Sequence, residues 1–215
     1  MPNWVTNKVK APSHVISAIL DDKGNVDFNR IITFDGEWPF DGVYLDAENL
    51  AEHLCGIVEE HPLIAGLREM NRSKITIKGM TDSSFEQFIQ MLRNHRKCDT
   101  LHNMDFARKH WGTKWNACES TADADAGTAQ FDTAWSCPEP VFVALSKKFP
   151  DEAIEVIYAD EDIGSNCGSF TLKAGEVIAS DIADSYSKQS DEDKTKWRAF
   201  AYAVKGWNPE EIEED

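Results

Sequence analysis

The sequence RKHWGTKWN at residues 108–116, followed by TAWS at residues 133–136, concentrates three of the chain's seven tryptophans in two short pieces. A polar, acidic connection, Ser120 to Gly127, separates them. Both Lys114–Ser120 and Thr128–Trp135 alternate between apolar and polar residues, a pattern typical of strands. We therefore predict two strands joined by a solvated hairpin loop.

The residues after this pair continue the pattern. Pro138 near a helix start and Glu139 in the first turn predict a helix. Ala153–Tyr158 and Gly168–Leu172 are predicted as two further strands, and Asp191–Val204 as a last helix. The order β-β-α-β-β predicts an antiparallel sheet covered by helices, which is an α+β architecture.

The residues before the tryptophan pair predict a smaller α+β part. Two strands are expected, at Trp4–Val9 and Val26–Phe34, with a helix between them. Further on, Asp46–Glu60 is predicted as a helix and Lys74–Lys78 as a short strand. Another helix follows residue 82, and a short one is expected over Leu101–Trp111. The predicted division is an N-terminal region, 1–72, and a C-terminal domain with an acidic tail, 73–215.

Composition limits the class of protein. The chain has 215 residues, enough for one large or two small domains. Its hydrophobic content of 41% argues against a disordered chain, and no apolar run is long enough to span a membrane. The N-terminus lacks the pattern of a secretion signal, so the cytoplasm of a host cell is the expected location. The five cysteines are dispersed, which predicts reduced thiols.

Charge is distributed unevenly along the chain. The net charge is −16, and residues 116–215 contribute −14 of it, from 8 basic and 22 acidic residues. Such a surface repels nucleic acid and attracts basic partners. One interpretation is a solvated surface with an acidic tail. The other is an acidic face that binds a basic groove, formed by Asp160, Glu161, Asp162, Asp191, Glu192, Asp193, Glu210, Glu211, Glu213 and Glu214.

The tryptophan pair is the second candidate binding site. Aromatic rings presented beside a lysine and a hydroxyl can stack a base, as they do on the sheets of RNA-binding domains. The candidate binding residues are Trp111, Lys114, Trp115, Asn116, Asp132, Thr133, Trp135 and Ser136. The alternative is that the aromatic residues fill the core beneath the helix, as large alternating aromatics usually do.

Recognisable catalytic motifs are missing from the sequence. There is no GxSxG, P-loop or HExxH, and the histidines and cysteines do not match a zinc spacing. Cys137 stands beside a predicted helix start, which could lower its thiol pKa, with His110 as a possible base. An inert thiol is the alternative. We expect no catalytic residue, no metal site and no cofactor.

Several motifs resemble the YubB ferredoxin-like family of phage- and plasmid-borne proteins. They are DFNRII at 27–32, WGTKWNA at 111–117, FxTAWS at 131–136, LSKKFP at 145–150, and PEEI at 209–212. Family members often carry proline at the position of Cys137 and after the FNRII-like strand, where this chain departs from them. The resemblance implies a ferredoxin-like domain in the C-terminal half and a mobile-element origin, but no established reaction.

Two functions follow as hypotheses. The first is a non-enzymatic accessory protein that binds a host protein, one that is basic or binds nucleic acid, as an acidic inhibitor of a nucleic-acid-handling defence complex. The second is a nucleotide- or single-strand-binding module that uses the tryptophans and Lys114. Neither hypothesis involves a membrane.

Overall fold

The computed structural model describes residues 2–57 and 61–209. It contains a six-stranded antiparallel sheet in the order β2-β3-β1-β4-β5-β6. The strands are β1 (Trp4–Lys10), β2 (Cys118–Asp123), β3 (Thr128–Ala134), β4 (Ala153–Asp160), β5 (Cys167–Lys173) and β6 (Glu176–Ile182). The helices are α1 (Ser13–Ile19), α2 (Leu45–Leu54), α3 (Pro62–Arg72), α4 (Asp82–Cys98), α5 (Asn103–Phe106), α6 (Glu139–Lys148) and α7 (Asp191–Lys205). The predicted α+β class is confirmed.

The chain forms two compact units. One consists of residues 1–33 with 107–215, and the other of residues 34–106. Their limits do not coincide with the predicted boundary between residues 72 and 73. The first unit is discontinuous because β1 pairs with β3 on one side and with β4 on the other. The N-terminal strand therefore lies in the middle of the C-terminal sheet.

The sheet of the first unit is covered on both faces. Phe142 of α6 contacts Phe131 and Phe170 on one face, with ring centroids 6.2 Å apart in each case. Side chains alternate between faces along a strand, so Cys167 of β5 lies on the face opposite Phe170. Cys167 forms a core cluster there with Ala159 and with Trp197, Ala201 and Val204 of α7.

The second unit is helical. Its core contains Ala47 and Ala51 of α2 with Phe88 and Met91 of α4, and small side chains on α2 allow the two helices to approach closely. Thr81 caps α4, because its side chain accepts a hydrogen bond from the backbone N–H of Ser84. The described residues contain no helix that is long and apolar enough to cross a membrane.

Three predicted strands differ from the structure. The segment predicted as a strand at Val26–Phe34 is wrong, since Phe28–Arg30 forms a 3-10 turn. That turn forms because the Asp27 side chain accepts from the N–H of Asn29 and the Asn116 side chain accepts from the N–H of Phe28. The strand predicted at Lys74–Lys78 is also wrong, since Ile77–Gly79 forms a 3-10 turn. The strand predicted at Lys114–Ser120 is observed as β2, which begins only at Cys118.

Two predicted helices also have different limits. The helix expected over Leu101–Trp111 is divided into α5 and a π-helical turn, Ala107–Trp111. The helix expected over Asp46–Glu60 is observed as α2, which ends at Leu54. Its predicted last residues, 58–60, lie outside the described part of the chain.

Candidate tryptophan–lysine binding site

A sharp change of direction follows the π-helical turn. Gly112 has a φ of +74°, and a Cβ there would lie 2.9 Å from Cδ of Pro140 in α6. Glycine is therefore required at this position, both for the left-handed backbone and for the close approach to the helix. The turn separates Trp111, before it, from Lys114 and Trp115, after it.

Trp111 is a core residue. Its side chain is only 5% exposed, and its Nε1–H donates to the carbonyl of Ile32 over 2.9 Å. The ring also packs edge-to-face on Phe28, with centroids 5.7 Å apart. A buried indole whose N–H is already bonded has no free face for a ligand. Core packing, the alternative reading of the tryptophans, therefore describes Trp111.

Trp135 has the opposite environment. Its side chain is 52% exposed, and its backbone has a left-handed φ of +72°. The conformation costs a non-glycine residue about 1–2 kcal/mol. It is held by two hydrogen bonds, from the Trp135 N–H to the carbonyl of Asn3 (2.9 Å) and from Nδ2 of Asn166 to the carbonyl of Trp135 (3.1 Å). Strained backbone that the surroundings hold in place is often found at functional sites.

A cavity of about 250 Å³ lies beside Trp135, lined by Arg108, Gly112, Thr113, Lys114, Ala134, Trp135 and Ser136. The hydroxyls of Thr113 and Ser136 donate to the carbonyls of Ala134 and Gly112, so they fix the shape of the wall. The charged groups are Arg108 and Lys114, and neither forms an ion pair with another described residue. The cavity therefore combines an exposed indole with two available cations.

Lys114 also connects the cavity to a second pair of rings. Its Nζ lies 4.5 Å from the ring centroid of Trp115, a cation–π distance. The Trp115 ring is in turn 6.0 Å from that of Trp4 in β1. Both rings are half-buried. We call Arg108, Lys114, Trp115 and Trp135 the tryptophan–lysine site.

The remaining predicted binding residues form hydrogen bonds within the first unit. Nδ2 of Asn116 donates to Asp27 over 2.6 Å, and Asp132 accepts from the hydroxyl of Thr6 over 2.7 Å. Thr133 is fully buried and donates to the carbonyl of Ser136 over 2.8 Å. These hydrogen bonds fix the backbone next to the exposed residues of the site.

The predicted acidic residues are only partly available. Asp160 is buried, and its carboxylate accepts from the N–H of Asp162 (3.0 Å) and from Nδ2 of Asn166 (2.7 Å). Glu161 is half-buried and Asp162 is exposed. Glu210, Glu211, Glu213 and Glu214 lie outside the described residues.

Asp191, Glu192 and Asp193 are exposed in the first turn of α7. Carboxylates there stabilise the positive end of the helix dipole. The hydroxyl of Ser190 accepts from the N–H of Asp193 over 3.1 Å and caps the helix. These three charges therefore have a structural role that is independent of any partner.

The thiol of Cys137 does not have the lowered pKa considered from the sequence. Burial, together with the nearby carboxylate of Glu139, raises the pKa of this thiol well above its ordinary value. A protonated thiol is a poor nucleophile. Among residues 2–57 and 61–209, no three histidine, cysteine or acidic side chains are grouped to hold a metal ion.

Two residues of this surface, Trp4 and Arg108, are not among the binding residues predicted from the sequence. Arg108 belongs to the RKHWGTKWN motif, but the sequence does not show that the chain brings it beside Trp135 at the same cavity. Trp4 is predicted only as part of a strand, and its contact with Trp115 depends on the central place of β1 in the sheet. The residue types, an aromatic ring at position 4 and a cation at position 108, are the only sequence signals for these two residues.

Part of this chain is similar to a known protein family. No curated protein matches this chain. A solved structure, the crystal structure of a protein api92 from Yersinia pseudotuberculosis, is 10% identical with a TM-score of 0.37, and the match covers 86% of this chain and 99% of that one. A family described as the ferredoxin-like domain in Api92-like protein matches residues 110–199. Together with the antiparallel sheet, this match confirms the predicted ferredoxin-like domain in the C-terminal half, and residues 110–199 are similar to that domain of Api92-like proteins.

Proposed function

We propose that this chain is a phage or plasmid accessory protein that binds a nucleotide or a single-stranded nucleic acid at the tryptophan–lysine site. The observation that carries the proposal is the exposed, left-handed Trp135 beside the available cations of Arg108 and Lys114. An exposed indole provides a stacking surface for a base, and the two cations attract phosphate.

The local chemistry differs from the overall charge. At −16 the whole chain repels nucleic acid at long range, so binding depends on contacts made within the site. Arg108 can form two parallel hydrogen bonds to a phosphate, whereas Lys114 acts as a point charge. Because Lys114 lies over the Trp115 ring, the aromatic surface holds it near the cavity.

The test is fluorescence anisotropy of labelled oligo(dT) and of a labelled adenine nucleotide at several salt concentrations. Stacking of one base is worth about 1–3 kcal/mol, so Trp135→Ala should weaken binding by about 5- to 150-fold. Lys114→Ala should weaken it and make the affinity less dependent on salt. Lys188→Ala, an exposed lysine outside the cavity, is the matched control.

Two results would overturn the proposal. One is the absence of binding by the wild-type protein to either probe at every salt concentration. The other is a Trp135→Ala variant that binds as tightly as the wild type. Unfolding curves for each variant ensure that a loss of binding is not a loss of folding.

A second candidate function rests on the exposed carboxylates of Asp162, Asp191, Glu192 and Asp193 and on the net charge. In this reading the chain is an acidic inhibitor that binds a basic host protein of a nucleic-acid-handling defence complex. Electrostatic attraction would accelerate such an association and make it sensitive to salt.

Capture of host proteins by the tagged chain, with and without nuclease, separates the two candidates. A basic protein retained after nuclease, and lost when Asp191, Glu192 and Asp193 are changed to the corresponding amides, supports the inhibitor. Unchanged capture by that triple variant removes the electrostatic argument. Recovery of nucleic acid that disappears with nuclease supports the tryptophan–lysine site.

A further inference from the structure

A groove of about 450 Å³ lies on the sheet of the first unit, and the tryptophan–lysine site does not include it. Its walls include Lys8, Lys10, Thr121, Gln130, Glu155 and Ile157. Lys8 pairs in register with Ile157, and Ile157 pairs with Ser169 of β5. Ser169 is two residues from Cys167, so these side chains lie on the α7 face of the sheet. The groove therefore lies on this face of the sheet, and its walls are formed by strand residues and not by α7.

Two lysines lie in the centre of the groove. Lys8 and Lys10 are alternate residues of the middle strand, so they point the same way and stand about 7 Å apart. Neither forms an ion pair with another described residue. Lys8 is half-buried and Lys10 is exposed. Available lysines inside a groove of an acidic protein indicate a site for an anion.

The surroundings of Lys8 favour an anion more than those of Lys10 do. Its cross-strand neighbours are Gln130 and Ile157, which carry no charge. Lys10 lies between Thr128 and Glu155, and Asp123 is paired with Thr128 on the far side. The carboxylates therefore weaken the potential around Lys10, while Gln130 and Thr121 can add hydrogen bonds to an anion held by Lys8.

The groove lies on the same face of β1 as Trp4, and the Trp4 ring contacts the tryptophan–lysine site. Trp4 and Thr6 share the face of Lys8 and Lys10, because they are alternate residues of the same strand. The ring of Trp4 is 6.0 Å from that of Trp115, and Nζ of Lys114 is 4.5 Å from the Trp115 centroid. Asp132 also lies along this route, and its carboxylate accepts from the hydroxyl of Thr6.

The edges of the sheet are less suited to a ligand. Both edge strands, β2 and β6, have irregular register with their neighbours, near Cys118–Thr121 and near Thr171–Leu172. Irregular edges disfavour the addition of another strand. A partner is therefore expected in the groove, on the part of the sheet where strand residues and not α7 form the walls.

We propose that the groove binds the phosphates of a single-stranded nucleic acid whose base occupies the tryptophan–lysine site. This inference rests on the proposed function and extends it from one nucleotide to a chain. The strand runs from Trp135 and Lys114 past Trp115 and Trp4, and its phosphates reach Lys8 and Lys10. A mononucleotide is too short to span both sites.

Oligonucleotide length provides the test. Labelled oligo(dT) of 2 and of 12 nucleotides is titrated against the wild type, Lys8→Ala/Lys10→Ala, and Trp135→Ala. The double variant should bind the 12-mer about 10-fold more weakly, with a slope of log affinity against log salt that is smaller by about 1.4, and should bind the dimer normally. Trp135→Ala should weaken both. Lys23→Ala/Lys188→Ala, two exposed lysines outside the groove, removes the same charge as a control.

The outcomes separate the two proposals. If the wild type binds neither length, the proposed function fails and this inference fails with it. If both lengths bind, and the groove variant behaves like the control on the 12-mer, the inference alone is overturned. If the groove variant loses as much affinity for the 2-nucleotide probe as for the 12-mer, the lysines do not form an extension of the site, and the inference is also overturned. Unfolding midpoints of the two double variants check that both fold equally well.

Discussion

The segments that contain Trp111 and Trp135 use the same side chain in two different ways. Trp111 is buried, with its N–H bonded to the carbonyl of Ile32 and its ring against Phe28. Trp135 leaves half of its surface exposed and holds a strained backbone conformation. Burial of the Trp111 ring stabilises the fold, whereas the left-handed backbone of Trp135 costs free energy. The difference assigns Trp111 to the stability of the fold and leaves Trp135 available for the proposed binding function.

Replacement of Trp111 should have the largest effect. Trp111→Ala removes a buried ring and leaves the Ile32 carbonyl without its donor, so the free energy of unfolding should fall by about 3–5 kcal/mol. Chemical denaturation measures the change. Trp111→Phe keeps most of the volume and should lose less. A loss below about 1 kcal/mol in Trp111→Ala would contradict the assignment of Trp111 to the core.

Alkaline pH should have the next largest effect, because it should lower the free energy of unfolding. Burial, with a smaller contribution from the carboxylate of Asp160, raises the pKa of the Cys167 thiol to about 11 from an ordinary value of 9.0. Below pH 9 both the folded and the unfolded thiol are protonated. Between pH 9 and 11 only the unfolded thiol ionises, so stability falls as pH rises, by at most about 3 kcal/mol.

The measurement is the free energy of unfolding at several pH values from 8 to 11, for the wild type and for Cys167→Ala. The variant lacks the thiol, and its stability should therefore decline less steeply over this range. Equal slopes for the two proteins would show that Cys167 does not titrate as expected. Binding at the exposed Trp135 is not expected to follow the same profile.

Replacement of Asn116 tests whether this residue, which is next to Trp115, stabilises the fold. Its side chain accepts from the N–H of Phe28 and donates to Asp27. Asn116→Ala should lower the free energy of unfolding by about 1–3 kcal/mol, because the N–H of Phe28 loses its partner. Denaturation gives the value. Asn49→Ala on α2, whose side chain bonds an exposed carbonyl one turn away, is a comparison variant in which a smaller loss is expected.

Trp135→Gly should have the smallest effect on stability and a large one on binding. Glycine accepts the left-handed backbone freely, but it also increases the entropy of the unfolded chain. The free energy of unfolding should therefore change by less than about 1 kcal/mol, and an increase is expected. Affinity for oligo(dT) should fall as it does for Trp135→Ala. A large loss of stability would place Trp135 with Trp111 and remove the contrast.

Much of the C-terminal fold could be predicted from the sequence, because its strands alternate and its turns carry glycine. The hairpin at 118–134, the helix after Pro138 and strands β4 and β5 all follow from local pattern. The strand predicted at Val26–Phe34 was wrong because its turn depends on Asn116, 88 residues away from Phe28. Local pattern cannot contain such a contact.

The site was predicted less completely for the same reason. The pattern selected Trp111 and Trp135 together, since both are tryptophans near predicted strands. What separates them is the left-handed backbone at Trp135 and the turn at Gly112, together with partners such as Asn166 and Ile32 that are distant along the chain. The exposure of an aromatic residue is set by these long-range contacts.

The central place of β1 has a consequence for the order in which the molecule folds. As the chain leaves the ribosome, residues 4–10 must remain without their partners until β3 and β4 have been synthesised about 125–150 residues later. Residues 34–106 contain their own core and emerge complete well before that time. The helical unit can thus fold first while the sheet waits for its middle strand. A fragment cut to residues 110–199 would lack that strand and would leave a gap between β3 and β4.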